Sequence, residues 1–420
     1  MGPRACFHAF MFAKRTHWRL TPNPLTQAIE EFRKSGRPML DLTESNPTRC
    51  GFVYDSQEII GALRDPLSLT YEPDPRGLLR ARQAVAGYYA ERGVKVDPRQ
   101  IFLTTSTSEA YAYVFRLLAD PGDNVLAPTP SYPLFDFLSR LNDLDLVPYP
   151  LVYDVDWQID LRALEPLITS RTRALLVVHP NNPTGSFVHR QELEFLVGIC
   201  ERHSLALIAD EVFSDYSLPS ISSKSSDVAR EFQSASGERV ASHAAISGVL
   251  TFTLSGLSKI CALPQMKLAW LVVNGPADLL SDAQDRLELI ADTYLSVSAP
   301  LAHALPKLLE GRGGIQSQVS NRTQENLLWL DKQLSPDSLV RRLKASGGWY
   351  VILRLPALHT DEEWSLEFLR QDGVLVYPGH FYDFYSDCHV VLSLLPSHEN
   401  FQDGVKKLLS RVDQLSRPQE

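Results

Sequence analysis

Residues 174–185 read Ala174-Leu-Leu-Val-Val178 and then His179-Pro-Asn-Asn-Pro-Thr-Gly185. The apolar run reads as a strand. The two prolines and the glycine close it with a tight turn that holds the asparagine side chains at the strand's C-terminal edge. Alone this is a plain β-turn. The same arrangement recurs along the chain, with strands expected at Ile101–Thr104, Asn124–Ala127, Leu205–Ala209, Thr251–Leu254 and Ala269–Val273. Between them lie amphipathic stretches, Leu79–Glu91, Glu109–Ala119 and Gln191–His203. Strand–helix alternation of this kind predicts an α/β domain with a mostly parallel central sheet flanked by helices, whose ligands bind at the carboxyl ends of the strands.

From about Tyr294 the pattern changes to long helices. A strand at Trp349–Leu355, a helix at Asp361–Gln371 and strands near Val374–Tyr377 and His389–Ser393 follow. This predicts a second, smaller α+β domain. The large domain is expected over 62–293, the small one over 17–61 plus 294–420, with the N-terminal segment packed on the C-terminal tail and residues 1–16 a flexible extension. Ser217–Ser247, rich in serine and charge, reads as a surface excursion with a short helix around Ser226–Phe232. No internal repeat is present.

The chain has 420 residues, 44% of them apolar and 22% charged, which is ordinary for a folded protein and long for a single core. A net charge of -9 argues against nucleic acid as partner. No run of 18 apolar residues occurs, so no membrane helix is expected. Cys6, Cys50, Cys200, Cys261 and Cys388 are scattered and odd in number, which suits reduced thiols in a cytoplasmic protein and no metal site. The first fifteen residues lack a signal-peptide core, and Cys6 breaks the myristoylation pattern.

Four strand ends carry chemistry. Thr104-Thr-Ser-Thr-Ser-Glu-Ala110 has capping-box spacing between Ser106 and Glu109, so a helix starts there, and its free N–H groups and hydroxyls suit a phosphate. Asn182 stands in the turn quoted above. Asp210 and Glu211 end the strand Leu205–Ala209, where a carboxylate can pair with a protonated ring nitrogen. Lys259, in Ser255-Gly-Leu-Ser-Lys259, follows Thr251–Leu254, where desolvation would lower its pKa and free the amine for a Schiff base. Singly these are a capped helix, a turn, a strand-end acid and a lysine. Together they supply a phosphate cradle, a partner for O3′, a pyridinium counter-ion and an amine, which is what pyridoxal 5'-phosphate requires.

With these motifs in this order, from about Leu20 to Leu409, the chain resembles the class I/II aminotransferases, the fold type I enzymes dependent on pyridoxal phosphate. The resemblance implies the PLP-dependent transferase-like fold and a ping-pong transfer of an amino group from an amino acid donor to a keto acid acceptor. It also implies Lys259 and Asp210 as catalytic residues. Tyr71, in Tyr71-Glu-Pro-Asp-Pro-Arg-Gly77, matches the tyrosine that reaches the partner subunit's cofactor phosphate, so a homodimer with shared active sites is implied. Ser106, Thr107 and Ser108 match the phosphate loop, Tyr132 the aromatic stacked on the ring, and Asn182 the O3′ partner. Ser255 and Lys267 match the phosphate-binding serine and the basic residue eight positions beyond the lysine.

The chain departs from the family in several places. Lys267 replaces an arginine, keeping the charge and losing the bidentate fork. Phe213 stands where a tyrosine donates to O3′, which is expected to raise the pKa of the lysine–cofactor imine. Ser106 occupies a common glycine position. Val391, in His389-Val-Val391-Leu-Ser, stands where an arginine clamps the substrate carboxylate. Arg354, His380 in Pro378-Gly-His-Phe, and Asn46 in Glu44-Ser-Asn-Pro47 are the candidate substrate contacts. The missing clamp also keeps open a PLP-dependent lyase or decarboxylase. A PLP-binding regulator is not expected, because the enzyme-like region begins by about Leu20.

Overall fold

The structure, a computed structural model, describes residues 11–18, 20–219 and 239–417. Cys6 and the helix expected around Ser226–Phe232 lie outside the described residues. Fourteen strands occur in the order β1 (Leu40–Asp41), β2 (Ile101–Thr104), β3 (Asn124–Thr129), β4 (Asp145–Tyr153), β5 (Trp157–Ile159), β6 (Thr172–Val178), β7 (Ala206–Asp210), β8 (Thr251–Gly256), β9 (Ala269–Asn274), β10 (Arg341–Arg342), β11 (Tyr350–Arg354), β12 (Val374–Leu375), β13 (Tyr377–Pro378) and β14 (His389–Ser393) among the described residues.

Eight of them form one sheet in the order β2-β9-β8-β7-β6-β3-β4-β5. β8, β7, β6, β3 and β4 run parallel, and β9 is antiparallel to both its neighbours. The expected mostly parallel sheet is therefore present. Its central strands are near-continuous Val, Leu, Ile and Ala because helices cover both faces. Leu175, Leu176, Leu207 and Ile208 are fully buried, and truncating such a side chain to alanine costs about 2–5 kcal/mol.

β4 and β5 were not expected. Pro148 and Pro150 interrupt the period that marks a strand, and β4 tolerates them because it pairs on one side only with the short β5.

A second, antiparallel sheet has the order β10-β11-β14-β13, and β1 pairs with β12 in a two-stranded parallel ribbon. The stretch expected as one strand near Val374–Tyr377 is thus two strands in two sheets. The helix expected over Asp361–Gln371 is α-helical to Glu367 and then widens into a π-turn over Phe368–Asp372. The N-terminal helix Pro24–Lys34 buries Leu25, Ala28 and Phe32 against Leu369 and Leu375. Of the expected extension, residues 11–16 are described: Lys14–Thr16 forms a 3-10 turn, Arg15 pairs with Asp143, and Trp18 meets Phe137 edge-on at 5.7 Å. The helix Arg312–Gln333 links the two regions. Arg322 donates to the carbonyls of Cys50 and Leu395, and Asn326 donates to those of Leu394 and Pro396.

Candidate active site

The chemically distinctive strand ends meet at one edge of the large sheet. The helix Thr107–Leu118 begins just beyond β2, capped reciprocally: Ser106 Oγ accepts from the Glu109 N–H at 3.2 Å, and Glu109 accepts from the Thr105 N–H at 2.6 Å. The turn after β6 is closed by a hydrogen bond from the Gly185 N–H to the Asn181 carbonyl. Asn181 also donates to the Pro130 carbonyl at 2.9 Å, tying this turn to the one after β3. Asp210 ends β7, and Lys259 sits in the one-turn helix Leu257–Ile260 after β8.

These ends line a cleft of about 460 Å³. Thr107, Ser108, Tyr132, Asn182, Asp210, Phe213, Ser258 and Lys259 form one side of it. Ser45, Tyr350, Tyr377, Phe381 and Tyr382, from the N-terminal segment and the C-terminal sheet, form the other. Two bonds hold the sides together: Ser131 N–H to the Tyr382 carbonyl at 3.0 Å, and Thr129 Oγ1 to the Asp383 carbonyl at 2.8 Å.

Two charges dominate the floor. Asp210 accepts from Tyr111 Oη at 2.9 Å and from the Val212 N–H at 3.1 Å. Burial outweighs both bonds and pushes its carboxyl up to about 6. Lys259 Nζ lies 4.8 Å from the Trp349 ring centre and 5.2 Å from that of Phe213, and burial brings it down to about 8 despite the attraction of Asp210. Desolvation disfavours both charged forms. Asn182 Oδ1, in the same cleft, is buried without a partner. An acid in want of a cation, an unbonded amine, an unused amide oxygen and a hydroxyl-bearing helix start fit pyridoxal phosphate.

Other expected residues lie elsewhere. Ser106 is spent on the helix cap, and Ser255 lies within β8, where it is 1% exposed. Ser258, which the sequence reading passed over, lines the cleft instead. Lys267 is exposed in a left-handed backbone conformation at φ 50°. Tyr71 is 72% exposed and lines a separate hollow with Gly77, Leu78 and Ser298.

None of the three expected substrate contacts lines the cleft. Asn46 caps a turn by accepting from Thr48, Arg354 is exposed at the end of β11, and His380 turns its Nδ1 to Asp361 at 3.4 Å. Val391 is fully buried between Ile352 and Tyr377 in a cluster with Trp349 and Tyr350. Among the described residues lining the cleft, Lys259 is the only Lys, Arg or His. Tyr111, Tyr350, Tyr377 and Tyr382 were also missed; none of them sits in a motif.

Among the described residues no helix is long and apolar enough to cross a membrane, and no cluster of His, Cys, Asp and Glu suits a metal ion. In comparisons with known proteins, glutamate-pyruvate aminotransferase AlaA of Escherichia coli is 26% identical over 393 residues, covering 91% of this chain and 93% of its own. The alanine aminotransferase of Mycobacterium bovis is 29% identical over 398 residues, covering 92% and 88%. Among solved structures, an alanine aminotransferase from Pyrococcus furiosus superposes with a TM-score of 0.83 at 22% identity, over 96% of this chain and 100% of the other, which speaks to the fold. The sequence model described as "Aminotransferase class I and II" matches residues 40–403, and with most of its length inside that match the chain belongs to the class I and II aminotransferases.

Proposed function

We propose that the cleft carries out the family's amino transfer with the residues the sequence singled out at its strand ends. The enzyme is a pyridoxal phosphate-dependent aminotransferase, moving an amino group from an amino acid to a keto acid. In this reading Thr107, Ser108 and the first N–H groups of their helix hold the phosphate, joined by Ser258. Asn182 would bond the ring's phenolic oxygen, Tyr132 would pack on the ring and Asp210 would pair with its nitrogen, while Lys259 would be the covalent attachment. When bound, the cofactor supplies an electron sink for the electron pair left at the substrate's Cα.

The protein's own work is proton handling and exclusion of water. Asp210, ionised by meeting a cationic nitrogen, keeps that nitrogen protonated. Lys259 Nζ, brought down to about 8, has enough neutral amine near pH 7 to take the Cα proton as a general base. Tyr350, Tyr377 and Tyr382 present neutral hydroxyls, since burial pushes all three phenols up. They and Ser45 are the donors we assign to the substrate's carboxylate in place of the residue lost at Val391. We further propose a homodimer in which Tyr71 of a second copy completes the phosphate site, and a division into domains at about residues 62 and 293.

The observation that carries this reading is the facing pair of Asp210 and Lys259, both desolvated and shifted toward each other. Family membership favours transfer over the lyase or decarboxylase alternative. The relatives' names make glutamate, alanine and pyruvate the first substrates to assay. Lys259→Ala should abolish turnover and leave the cofactor removable by dialysis. An alanine variant with wild-type turnover would defeat the assignment.

A further inference from the structure

The helix that carries Lys259 is one turn long, and beyond it the Lys259 carbonyl keeps a single-turn backbone bond, from the Ala262 N–H at 3.0 Å. Three side chains from three distant segments also bond the carbonyls of this turn. Tyr216 Oη donates to the Lys259 carbonyl at 2.7 Å, Gln316 Nε2 to the Ile260 carbonyl at 2.9 Å, and Tyr54 Oη to the Ala262 carbonyl at 2.9 Å. Ala262 itself sits in the left-handed region at φ 51°, so the turn is not one the backbone favours unaided.

Two of the donors, Gln316 and Tyr216, are anchored at their other ends. Gln316 Nε2 also donates to Asp215 Oδ2 at 3.2 Å, and Asp215 pairs with Arg92 at 2.6 Å. The Tyr216 ring meets Trp349 edge-on at 5.0 Å, and Trp349 is the ring lying 4.8 Å from Lys259 Nζ. Tyr216 thus fixes the lysine's backbone through its hydroxyl and one wall of the amine's surroundings through its ring.

We propose that Tyr216, Gln316 and Tyr54 are positioning residues for Lys259: they hold the lysine turn in one place, so that Nζ is presented to the Asp210 end of the cleft. This rests on Lys259 being the cofactor lysine. A lysine side chain has four rotatable bonds, and the amine must act at a defined point above the substrate's Cα. A backbone free to drift by an ångström would lower the fraction of productive geometries.

Tyr216→Phe removes one oxygen and keeps the ring against Trp349. Tyr54→Phe does the same at a less buried site, and Gln316→Met keeps the length of the side chain. The first measurement is amide hydrogen exchange on cofactor-free protein, where peptides over residues 257–263 should exchange about tenfold faster, the equivalent of one lost hydrogen bond. Peptides over β7 and the first half of β8 should be unchanged.

The second measurement is steady-state kinetics, where kcat should fall about tenfold with the donor KM within twofold. Unchanged exchange over 257–263, a uniform rise across the sheet, or a loss confined to KM would each overturn the proposal. Failure of the cofactor assignment is separate, read from Lys259→Ala retaining turnover while the exchange result in Tyr216→Phe stands.

Discussion

Tyr111 Oη donates to Asp210 Oδ2 at 2.9 Å, and Tyr111 lies on the helix whose first turn lines the cleft with Thr107 and Ser108. One rigid element therefore positions both ends of the proposed cofactor site. Residues 107 and 108 face the cleft and residue 111, about one turn on, reaches the acid at the floor. The phenol also offsets part of what burial costs the carboxylate, since it lowers a pKa that desolvation raises.

Tyr111→Phe takes away that donor and leaves the packing against Phe115 and Phe135 in place. A hydrogen bond to a charged group contributes about 1.5–3 kcal/mol. The carboxyl of Asp210 should rise above 6 and cofactor affinity should fall roughly tenfold or more, by the same bond strength. Fluorescence titration of cofactor-free protein with pyridoxal phosphate measures this, and an unchanged dissociation constant would refute it.

The pH dependence of cofactor capture follows from the two shifted groups. Asp210 is raised, so it is mostly protonated below about pH 6; Lys259 is lowered, so it is mostly neutral above about pH 8. Covalent capture needs an ionised aspartate and a neutral amine. Its rate should climb between pH 6 and 8 and flatten beyond. An ordinary surface lysine would keep the rate climbing past pH 10. Asp210→Asn should remove the dependence near pH 6 and keep the one near 8, as stopped-flow absorbance can record.

The strand ends were legible in sequence because each catalytic candidate follows an apolar run by a few residues, and parallel topology gathers such positions at one edge. Asn182, Asp210 and Lys259 needed nothing more. Tyr350, Tyr377, Tyr382 and Ser45 were not legible. They reach the cleft only because the β11–β14–β13 sheet and the N-terminal segment pack over it, and no local pattern encodes that contact. Ser255 and Ser258 differ for another reason. Side chains alternate along a strand, and Ser255 falls inside β8 beside the equally buried Thr253, while Ser258 lies past the strand end where the backbone has turned. Spacing from the lysine by resemblance does not resolve a difference of three residues across a strand-to-helix junction.

Lys259 also bears on the stability of the cofactor-free protein. A lysine with a folded pKa below its unfolded one subtracts stability at every pH where the unfolded chain is protonated. That loss is complete below about pH 8 and fades as pH rises from 8 to 10.5. Lys259→Met should therefore stabilise the cofactor-free protein at pH 7 by up to about 3 kcal/mol, with the attraction to Asp210 holding the gain below that limit. Above pH 10 the difference should vanish. Denaturant melts at pH 7 and pH 10.5 decide it, and a variant less stable than wild type at pH 7 would show that the amine is not desolvated.

Gly185 joins the Asn182 turn to the strand that carries Tyr350. Its φ is 68°, and a Cβ there would lie 2.5 Å from the Gly347 carbonyl oxygen and 2.9 Å from Ala345 Cβ. Its own carbonyl accepts from the Ser346 N–H at 3.1 Å, and the Gly348 N–H just beyond binds the Tyr216 carbonyl at 2.8 Å. Alanine at 185 meets two penalties together, about 1–2 kcal/mol for the left-handed backbone and a further cost for pushing the 345–348 segment outward. That segment leads directly into Trp349 and Tyr350, so the displacement reaches the wall beside Lys259 and the hydroxyl side of the cleft. Gly185→Ala should lose at least about 2 kcal/mol of stability and weaken cofactor retention, although residue 185 does not line the cleft. Substituting Gly36, also at positive φ with nothing within 4 Å, should cost only the backbone share and leave cofactor retention unchanged. Equal effects of the two substitutions on retention would mean that the contact between the turn and the 345–348 segment does not shape the site.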